Sequence, residues 1–219
     1  MNLFDEITAA ANQTGLGLVG WFHPDPDDGA PDDAQTLLLF GPDGRAMWAA
    51  FQAAPEALDG APNPLDRWSA RVVSDLAHQF GAAALFPFGG APYQPFQRWA
   101  ERGESACASP VALQVTAGRG LWTSYRGALA FTERLTLPPR NDANPCLTCP
   151  APCQTACPVD AFAGGTYDVP ACIGQLATPD VECQSGCLAR RACPAGAALE
   201  LPADQRAFHM AAFLRVNRP

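Results

Sequence analysis

The feature that most constrains this chain is the crowding of its cysteines, because eight of the nine lie between positions 146 and 193. They form the run Cys146-x2-Cys149-x3-Cys153-x3-Cys157-Pro158, a lone Cys172, and the group Cys183-x3-Cys187-x5-Cys193-Pro194. Thiolates so close in sequence converge on one centre only if the backbone wraps around that centre. The segment is therefore predicted to fold around bound metal, with the rest of the chain as its support.

Three kinds of cysteine site are consistent with this pattern. Iron–sulfur clusters are favoured, because each cubane takes four thiolates and eight cysteines with two Cys-Pro endings suit two cubanes. Zinc is the main alternative, since Cys146-x2-Cys149 alone is typical of a zinc ribbon. A disulfide framework is the third. Cys107 lies outside the set and is expected to be a small buried apolar residue or a free thiol.

The cysteine segment resembles the two-cluster ferredoxin modules of bacterial oxidoreductases over about residues 141–198. It is similar to the C-terminal part of epoxyqueuosine reductases and reductive dehalogenases. Those modules carry a four-cysteine run ending in Cys-Pro, a lone cysteine, and a three-cysteine group ending in Cys-Pro. Here the lone member is Cys172, at a helix start that follows the acidic Asp168. The resemblance implies two [4Fe–4S] clusters.

The resemblance also implies how the thiols are shared, because the cysteine before the proline binds the other cluster in two-cluster ferredoxins. One cluster would be held by Cys146, Cys149, Cys153 and Cys193. The other would be held by Cys157, Cys172, Cys183 and Cys187. Two gaps depart from the family's pattern, since three residues instead of two precede Cys153 and five instead of three precede Cys193. The extra residue before Cys153 is either absorbed by a loop or displaces that cysteine from its cluster.

The chain as a whole is predicted to be an α+β protein. Strands that alternate with helices indicate an α/β layered domain over residues 1–140, which could hold a cofactor or a partner site. A small Cys-rich, ferredoxin-like iron–sulfur domain follows over residues 141–200. A last helix within residues 201–219 is expected to pack back onto the body of the protein.

Individual elements of the first domain follow from hydrophobic periodicity and from residues that begin and end helices. Strands are predicted at 16–22, 36–40 and 111–116. A helix is predicted to begin at Asn63-Pro64, with Asn63 as its N-cap, and to end near Gly81.

Composition narrows the partners and the setting. The net charge of −8 argues against nonspecific binding to nucleic acid. The first residues lack the pattern of a signal peptide, and no apolar run has the length of a membrane span. We therefore expect a cytoplasmic protein without membrane contact, in which thiols stay reduced and available for metal.

The predicted function is electron transfer through up to two [4Fe–4S] clusters, to a redox partner protein or to a cofactor in the N-terminal domain. A reductase related to the resembled enzymes is the alternative, acting on a small-molecule substrate. Reductases of that family hold cobalamin in an N-terminal α/β domain, so cobalamin or a flavin is a further expectation without assigned residues. Catalytic residues are not assigned, and any enzyme activity would be that of an oxidoreductase. A zinc-stabilised interaction module is the second alternative.

Two neighbouring cations, Arg190 and Arg191, lie between Cys187 and Cys193. They either favour the reduced state of a nearby cluster through their charge or only solvate a helix end. The sequence leaves both interpretations open.

Overall fold

The computed structural model describes residues 2–199 and 201–217. It combines helices with a small antiparallel sheet, which confirms the mixed α and β class. The described residues divide into two compact units. One comprises positions up to Ala106 together with Ser124–Asp142, and the other comprises Cys107–Thr123 together with positions from Ala143 onward. The sequence-based division at residue 140 did not anticipate that Cys107–Thr123 groups with the cysteine segment.

The elements alternate along the first part of the chain and shorten in the cysteine segment. The helices are α1 (Leu3–Gln13), α2 (Ala46–Gln52), α3 (Pro55–Leu58), α4 (Pro64–Phe80), α5 (Phe96–Gly103), α6 (Val169–Ala177), α7 (Leu188–Arg191) and α8 (Ala203–Asn217). The strands are β1 (Leu16–Phe22), β2 (Thr36–Pro42), β3 (Ala83–Leu85), β4 (Cys107–Ala108), β5 (Gln114–Val115) and β6 (Gly127–Phe131). Helices α1–α5 and strands β1, β2, β3 and β6 belong to the first unit.

The first unit is built on a four-stranded antiparallel sheet with the strand order β1-β2-β6-β3. Strand β2 is buried along its whole length because both faces of the sheet are covered. Leu37 and Leu39 pack with Trp99 of α5. Leu38 and Phe40, also fully buried, point to the opposite face because side chains alternate along a strand.

Hydrogen bonds connect the acidic loop that follows β1 to helix α5. The buried carboxylate of Asp28 accepts hydrogen bonds from Arg102 at 2.8 and 2.9 Å and from the backbone N–H of Asp25 at 2.7 Å. The indole N–H of Trp99 donates to the carbonyl oxygen of Asp28 at 2.9 Å. Pairing of the buried carboxylate with Arg102 offsets the free-energy cost of removing its charge from water.

Several of the predicted elements can be compared directly with the structure. Strand β1 spans the predicted residues, and α4 ends before Gly81, whose positive φ of 67° closes the helix. Asn63 occupies the N-cap position of α4, as predicted, but its φ is 51° and its side chain makes no capping hydrogen bond. The strand expected over 111–116 shortens to β5, which pairs with β4 as a hairpin.

The second unit consists of the β4–β5 hairpin, short 3₁₀ turns and the helices α6, α7 and α8. Helix α8 packs against α6 and against the 3₁₀ turn Glu182–Ser185, so within this unit it supports the cysteine segment. Position 200 and positions 218–219 of the predicted C-terminal segments lie outside the described residues. Within 2–199 and 201–217, no helix combines the length and the apolar character that a bilayer crossing requires.

The sheet core of the first unit predicts a clear contrast between two leucines. Leu39→Ala removes a side chain with 0% exposure and should lower the free energy of unfolding by about 2–5 kcal/mol through lost burial and a residual cavity. Leu58→Ala, at a site that is 76% exposed, should change it by less than about 0.5 kcal/mol. Chemical denaturation followed by tryptophan fluorescence measures both, and equal effects would contradict the described core.

Candidate metal centres

Eight cysteines of the second unit line two separate cavities, four in each. The first cavity, site A, is lined by the thiols of Cys146, Cys149, Cys153 and Cys193 and contains about 360 Å³ of space, counting its open side. The second cavity, site B, is lined by the thiols of Cys157, Cys172, Cys183 and Cys187 and contains about 330 Å³. These groups coincide with the two sets that the cross-over of the cysteines before proline implied. That the thiols bind metal stays a prediction.

All nine cysteines carry free thiols, so the disulfide framework does not describe this structure. In the part of the chain that the structure describes, no three His, Cys, Asp or Glu side chains are grouped tightly enough to hold a single metal ion.

The first three cysteines of site A lie on consecutive turns. The side-chain oxygen of Asn144 accepts from the N–H of Cys146 at 2.9 Å, and the N–H of Cys149 donates to the carbonyl oxygen of Cys146 at 3.3 Å. Ala151 then adopts a left-handed conformation with a φ of 53° and leads into the 3₁₀ turn Pro152–Gln154. This turn absorbs the extra residue before Cys153, whose buried side chain stays with the other members of site A.

The wall of site A includes the β4–β5 hairpin and the loop after it, which sequence reasoning had assigned to the other domain. Val115 and Leu121 are fully buried and pack against Cys153 and Cys193. At Gly120 the loop after the hairpin comes close to Cys193 and Gly196. A Cβ atom there would lie 2.3 Å from the backbone nitrogen of Gly196 and 2.9 Å from Sγ of Cys193. The loop after the hairpin therefore limits where Cys193 can lie.

Site B is assembled from short elements, and a side chain ties helix α6 to the turn that carries Cys183. Helix α6 carries Cys172 and begins at Asp168, whose carboxylate accepts from the N–H of Ala171 at 2.9 Å, as the acidic helix start predicted. The carboxamide of Gln184 donates to the carbonyl oxygens of Leu176 and Thr178 at 3.0 and 2.9 Å. It thereby joins the end of α6 to the turn that carries Cys183.

Helix α8 closes the other side of this assembly. The guanidinium group of Arg206 donates to the carbonyl oxygens of Ser185 at 3.2 Å and of Leu201 at 2.6 Å. Its side chain lies against Gly186, where an added Cβ would be 3.0 Å away. Met210, one turn further along α8, lines site B itself. The last helix thus helps to hold the turn of Cys183 in place.

Helix α7 connects the two sites. Cys187 immediately precedes it and belongs to site B, whereas Cys193 follows it and belongs to site A. Ala189, in its centre, is buried in an apolar cluster that contains members of both sites. The five residues between Cys187 and Cys193 are therefore the four residues of α7 and its C-cap Ala192, which together separate the two thiols.

Four of the eight thiols, two in each site, have surroundings that favour their neutral form. Burial raises the pKa of Cys146 and Cys153 in site A, and neighbouring thiols raise it further. Burial likewise raises the pKa of Cys172 and Cys183 in site B. Because metals bind the thiolate form, loading of either site must release protons.

Backbone N–H groups already point at the sulfur atoms. The N–H of Ala151 donates to Sγ of Cys149 in site A, and the N–H of Ala161 donates to Sγ of Cys157 in site B, both at 3.4 Å. Such donors stabilise a thiolate. Together with donor sets made only of sulfur, which soft and borderline metals prefer, they make the residues of both sites fit an iron–sulfur cluster.

The ninth cysteine also belongs to the second unit. Cys107 is half-buried on β4, and its Sγ donates to the carbonyl oxygen of Val115 at 3.7 Å. It packs with Cys146 in the apolar cluster, and its proximity contributes to the raised pKa of Cys146. It remains outside the two groups of four, as expected.

Sequence reasoning missed Tyr167 as a member of this region. Its ring stacks on Phe162, and it packs against the apolar cluster that includes Cys157 and Cys187. The available signal was an aromatic residue five positions before a predicted ligand, next to the helix-capping Asp168. That signal alone does not distinguish packing beside the thiols from ordinary packing.

Comparisons with protein-family models, with curated proteins and with solved structures found no match to this chain.

The close approach at Gly120 gives a metal-independent test of site A. Gly120→Ala places a methyl group against Gly196 and Cys193 at a position with a φ of 54°, so the loop after the hairpin must move away from both. We expect Cys193 to be alkylated faster under native conditions. If the substitution lowers the free energy of local opening by about 1.4 kcal/mol or more, the alkylation rate should rise by about tenfold or more. Peptide mass spectrometry identifies the modified cysteine.

Gly118→Ala is the matched control, because nothing lies within 4 Å of its added Cβ. It should leave the alkylation rate of Cys193 unchanged. Equal alkylation rates of Cys193 in both variants would contradict the described contact between the loop after the hairpin and Cys193.

Proposed function

We propose that this chain is an iron–sulfur electron-transfer protein that holds two [4Fe–4S] clusters, one in site A and one in site B. The observation that carries the proposal is the division of eight cysteines into two separate cavities of four. Site A takes three cysteines from the first run and one from the last group, whereas site B takes one from the first run, the lone Cys172 and two from the last group. This exchange is the wiring of two-cluster ferredoxins.

The roles of the chain's own residues follow from the site geometry. Eight thiols would bind, four to each cluster, and the N–H groups of Ala151 and Ala161 would stabilise the sulfur charge. Apolar side chains such as Val115, Leu121 and Phe162 keep water from the region around the thiols. When bound, each cluster supplies one-electron redox chemistry.

The proposed setting is the cytoplasm, where the glutathione pool keeps thiols reduced. The proposed partner is a redox protein or a small-molecule substrate. Leu147, between two site A cysteines, is 81% exposed and offers an apolar contact close to that site. The net charge of −8 disfavours nonspecific nucleic acid as a partner.

Metal and sulfide analysis of protein purified without oxygen tests this proposal. We expect about eight iron atoms and about eight acid-labile sulfides per chain, with a broad visible absorbance that dithionite bleaches. Zinc without sulfide would overturn the proposal in favour of a zinc-stabilised module. The same spectrum tests the reductase alternative, because a bound corrin or flavin would add its own absorbance bands.

Loss of one thiol should affect one site at a time. Cys153→Ser should remove the cluster of site A and Cys183→Ser that of site B, so each variant should keep about four of about eight iron atoms. Cys107→Ser is the control and should keep the full amount, because Cys107 lies outside both groups of four. Iron counts that fall with Cys107→Ser would contradict the proposed ligand sets.

Removal of the clusters should loosen the second unit selectively. Its cysteine segment consists of short turns, so metal–thiolate bonds should supply much of its folding free energy. Hydrogen exchange should accelerate in α6 and α7 on chelation under reducing conditions, whereas β2 in the core of the first unit should stay protected. Equal protection of α6 with and without iron would count against this role of the metal.

A further inference from the structure

Besides its thiols, each of the two sites has one residue with a polar side chain in its wall. In site A this residue is Ser109, and the other lining residues are valine, leucine, alanine and proline. In site B it is Gln175, and the other lining residues are apolar and include Phe162 and Met210. Among the described residues, no charged side chain lines either cavity. One hydroxyl and one carboxamide therefore provide the polar side-chain chemistry around the thiols.

The turn between β4 and β5 holds Ser109 at site A. The N–H of Ser109 donates to the carbonyl oxygen of Leu113 at 3.0 Å, and its hydroxyl oxygen accepts from the N–H of Val111 at 3.4 Å. Ser109 is only 9% exposed, so little of it contacts bulk water. The turn thus positions the oxygen atom as an acceptor, while the hydroxyl proton can still rotate toward an acceptor of its own.

Helix α6 places Gln175 beside a cysteine of site B. Cys172 and Gln175 are three residues apart on this helix, and residues at that spacing are neighbours on one face. Both residues line site B. The carboxamide of Gln184 is used differently, because it donates to the carbonyl oxygens of Leu176 and Thr178. Gln175 is therefore the glutamine of this region that belongs to the wall of the site.

The donor groups of both residues are uncommitted. Neither the Ser109 hydroxyl nor the Gln175 carboxamide donates a hydrogen bond to another residue that the structure describes. A hydroxyl offers one donor and a carboxamide offers two. A polar group removed from water without a partner costs free energy. Sulfur atoms are the other polar side-chain atoms of these walls, so they are the acceptors that each wall offers its donor.

We propose that Ser109 and Gln175 donate hydrogen bonds to the cluster sulfur atoms of site A and site B, respectively, and that each bond raises the reduction potential of its own site. This inference rests on the proposed function. A four-thiolate cubane is anionic and its reduced state carries one more negative charge, so donors to sulfur favour the reduced state. The apolar walls strengthen such bonds relative to bonds in water.

The direction of each substitution follows from the charge. Ser109→Ala removes the hydroxyl, so reduction of site A should become about tenfold less favourable, a fall of about 59 mV for a one-electron couple. Gln175→Leu removes the carboxamide with another good helix former and should lower the potential of site B in the same way. Gln175→Glu keeps the shape but replaces the donor with a carboxylate, so it should lower that potential further. Ser109→Thr keeps the hydroxyl and should keep most of the potential of site A.

The experiment is a redox titration of the full chain purified without oxygen, followed by electron paramagnetic resonance. Cys153→Ser and Cys183→Ser, which should each keep one cluster, assign the two potentials to their sites. The two donor substitutions are also controls for each other. Ser109→Ala should leave the potential of site B unchanged, and Gln175→Leu should leave that of site A unchanged.

Helix α4 of the first unit offers matched controls for both residue types. Ser74 and Gln79 are exposed on this helix and line neither cavity. Ser74→Ala and Gln79→Leu should therefore leave both potentials unchanged.

The outcomes separate this inference from the function on which it rests. Variants that keep about eight iron atoms but show unchanged potentials, or a shift at the wrong site, would overturn the inference and leave the proposed function intact. Absence of iron and sulfide from the unsubstituted protein would instead overturn the function. If Ser109→Ala loses iron because its turn is disturbed, Gln175→Glu decides, because an unlowered potential of site B in that variant would contradict the proposal.

Discussion

The second unit depends on one constraint, which is that eight thiols from a short stretch of chain must converge on two separate points. One regular helix or strand cannot achieve this, because it brings only residues at its own fixed repeat to one face, and these cysteine spacings do not follow such a repeat. The chain instead uses short turns, with Ala151, Asp160 and Asp180 in left-handed conformations. Each such residue costs roughly 1–2 kcal/mol. Under the proposed function, bonds from the thiols to a bound cluster would offset this strain.

The same constraint explains why the β4–β5 hairpin and helix α8 group with the cysteine segment. Turns bury little apolar surface of their own, so the thiol-bearing segment needs walls from elsewhere in the chain. Leu121 supplies such a wall at site A and Met210 supplies one at site B. Leu121 precedes the cysteine segment in sequence and Met210 follows it, so a domain boundary drawn from the cysteine spacing alone leaves such residues out.

The sequence predicted well the elements whose signals are local. The strand β1, the end of α4 at Gly81 and the cap of α6 at Asp168 each follow from periodicity or from one residue with a strong preference. The two groups of cysteines that line the cavities coincide with the sets that the ferredoxin resemblance implied, whereas their role as metal ligands stays a prediction. By contrast, Asn63 has a strong preference for caps but adopts a left-handed conformation here.

Features that depend on tertiary contacts could not be predicted. The approach of Gly120 to Gly196 joins residues far apart in sequence, and nothing local distinguishes Gly120 from other loop glycines. The different surroundings of Arg190 and Arg191 have the same origin. A turn of helix directs adjacent side chains to different sides, so one reaches the carbonyl oxygen of Leu121 and the other reaches Glu182.

Helix α7 brings the wiring and the electrostatics of the second unit together. It separates Cys187 of site B from Cys193 of site A, and it carries Arg190 between them. The contact of Arg190 with Leu121 also attaches α7 to the loop that walls site A. A change in the length of α7 would therefore alter the division of the thiols and the contact of Arg190 with Leu121 at once. This coupling gives a physical reason for the five-residue gap, since a shorter connection would lack the turn that places Arg190 against the carbonyl oxygen of Leu121.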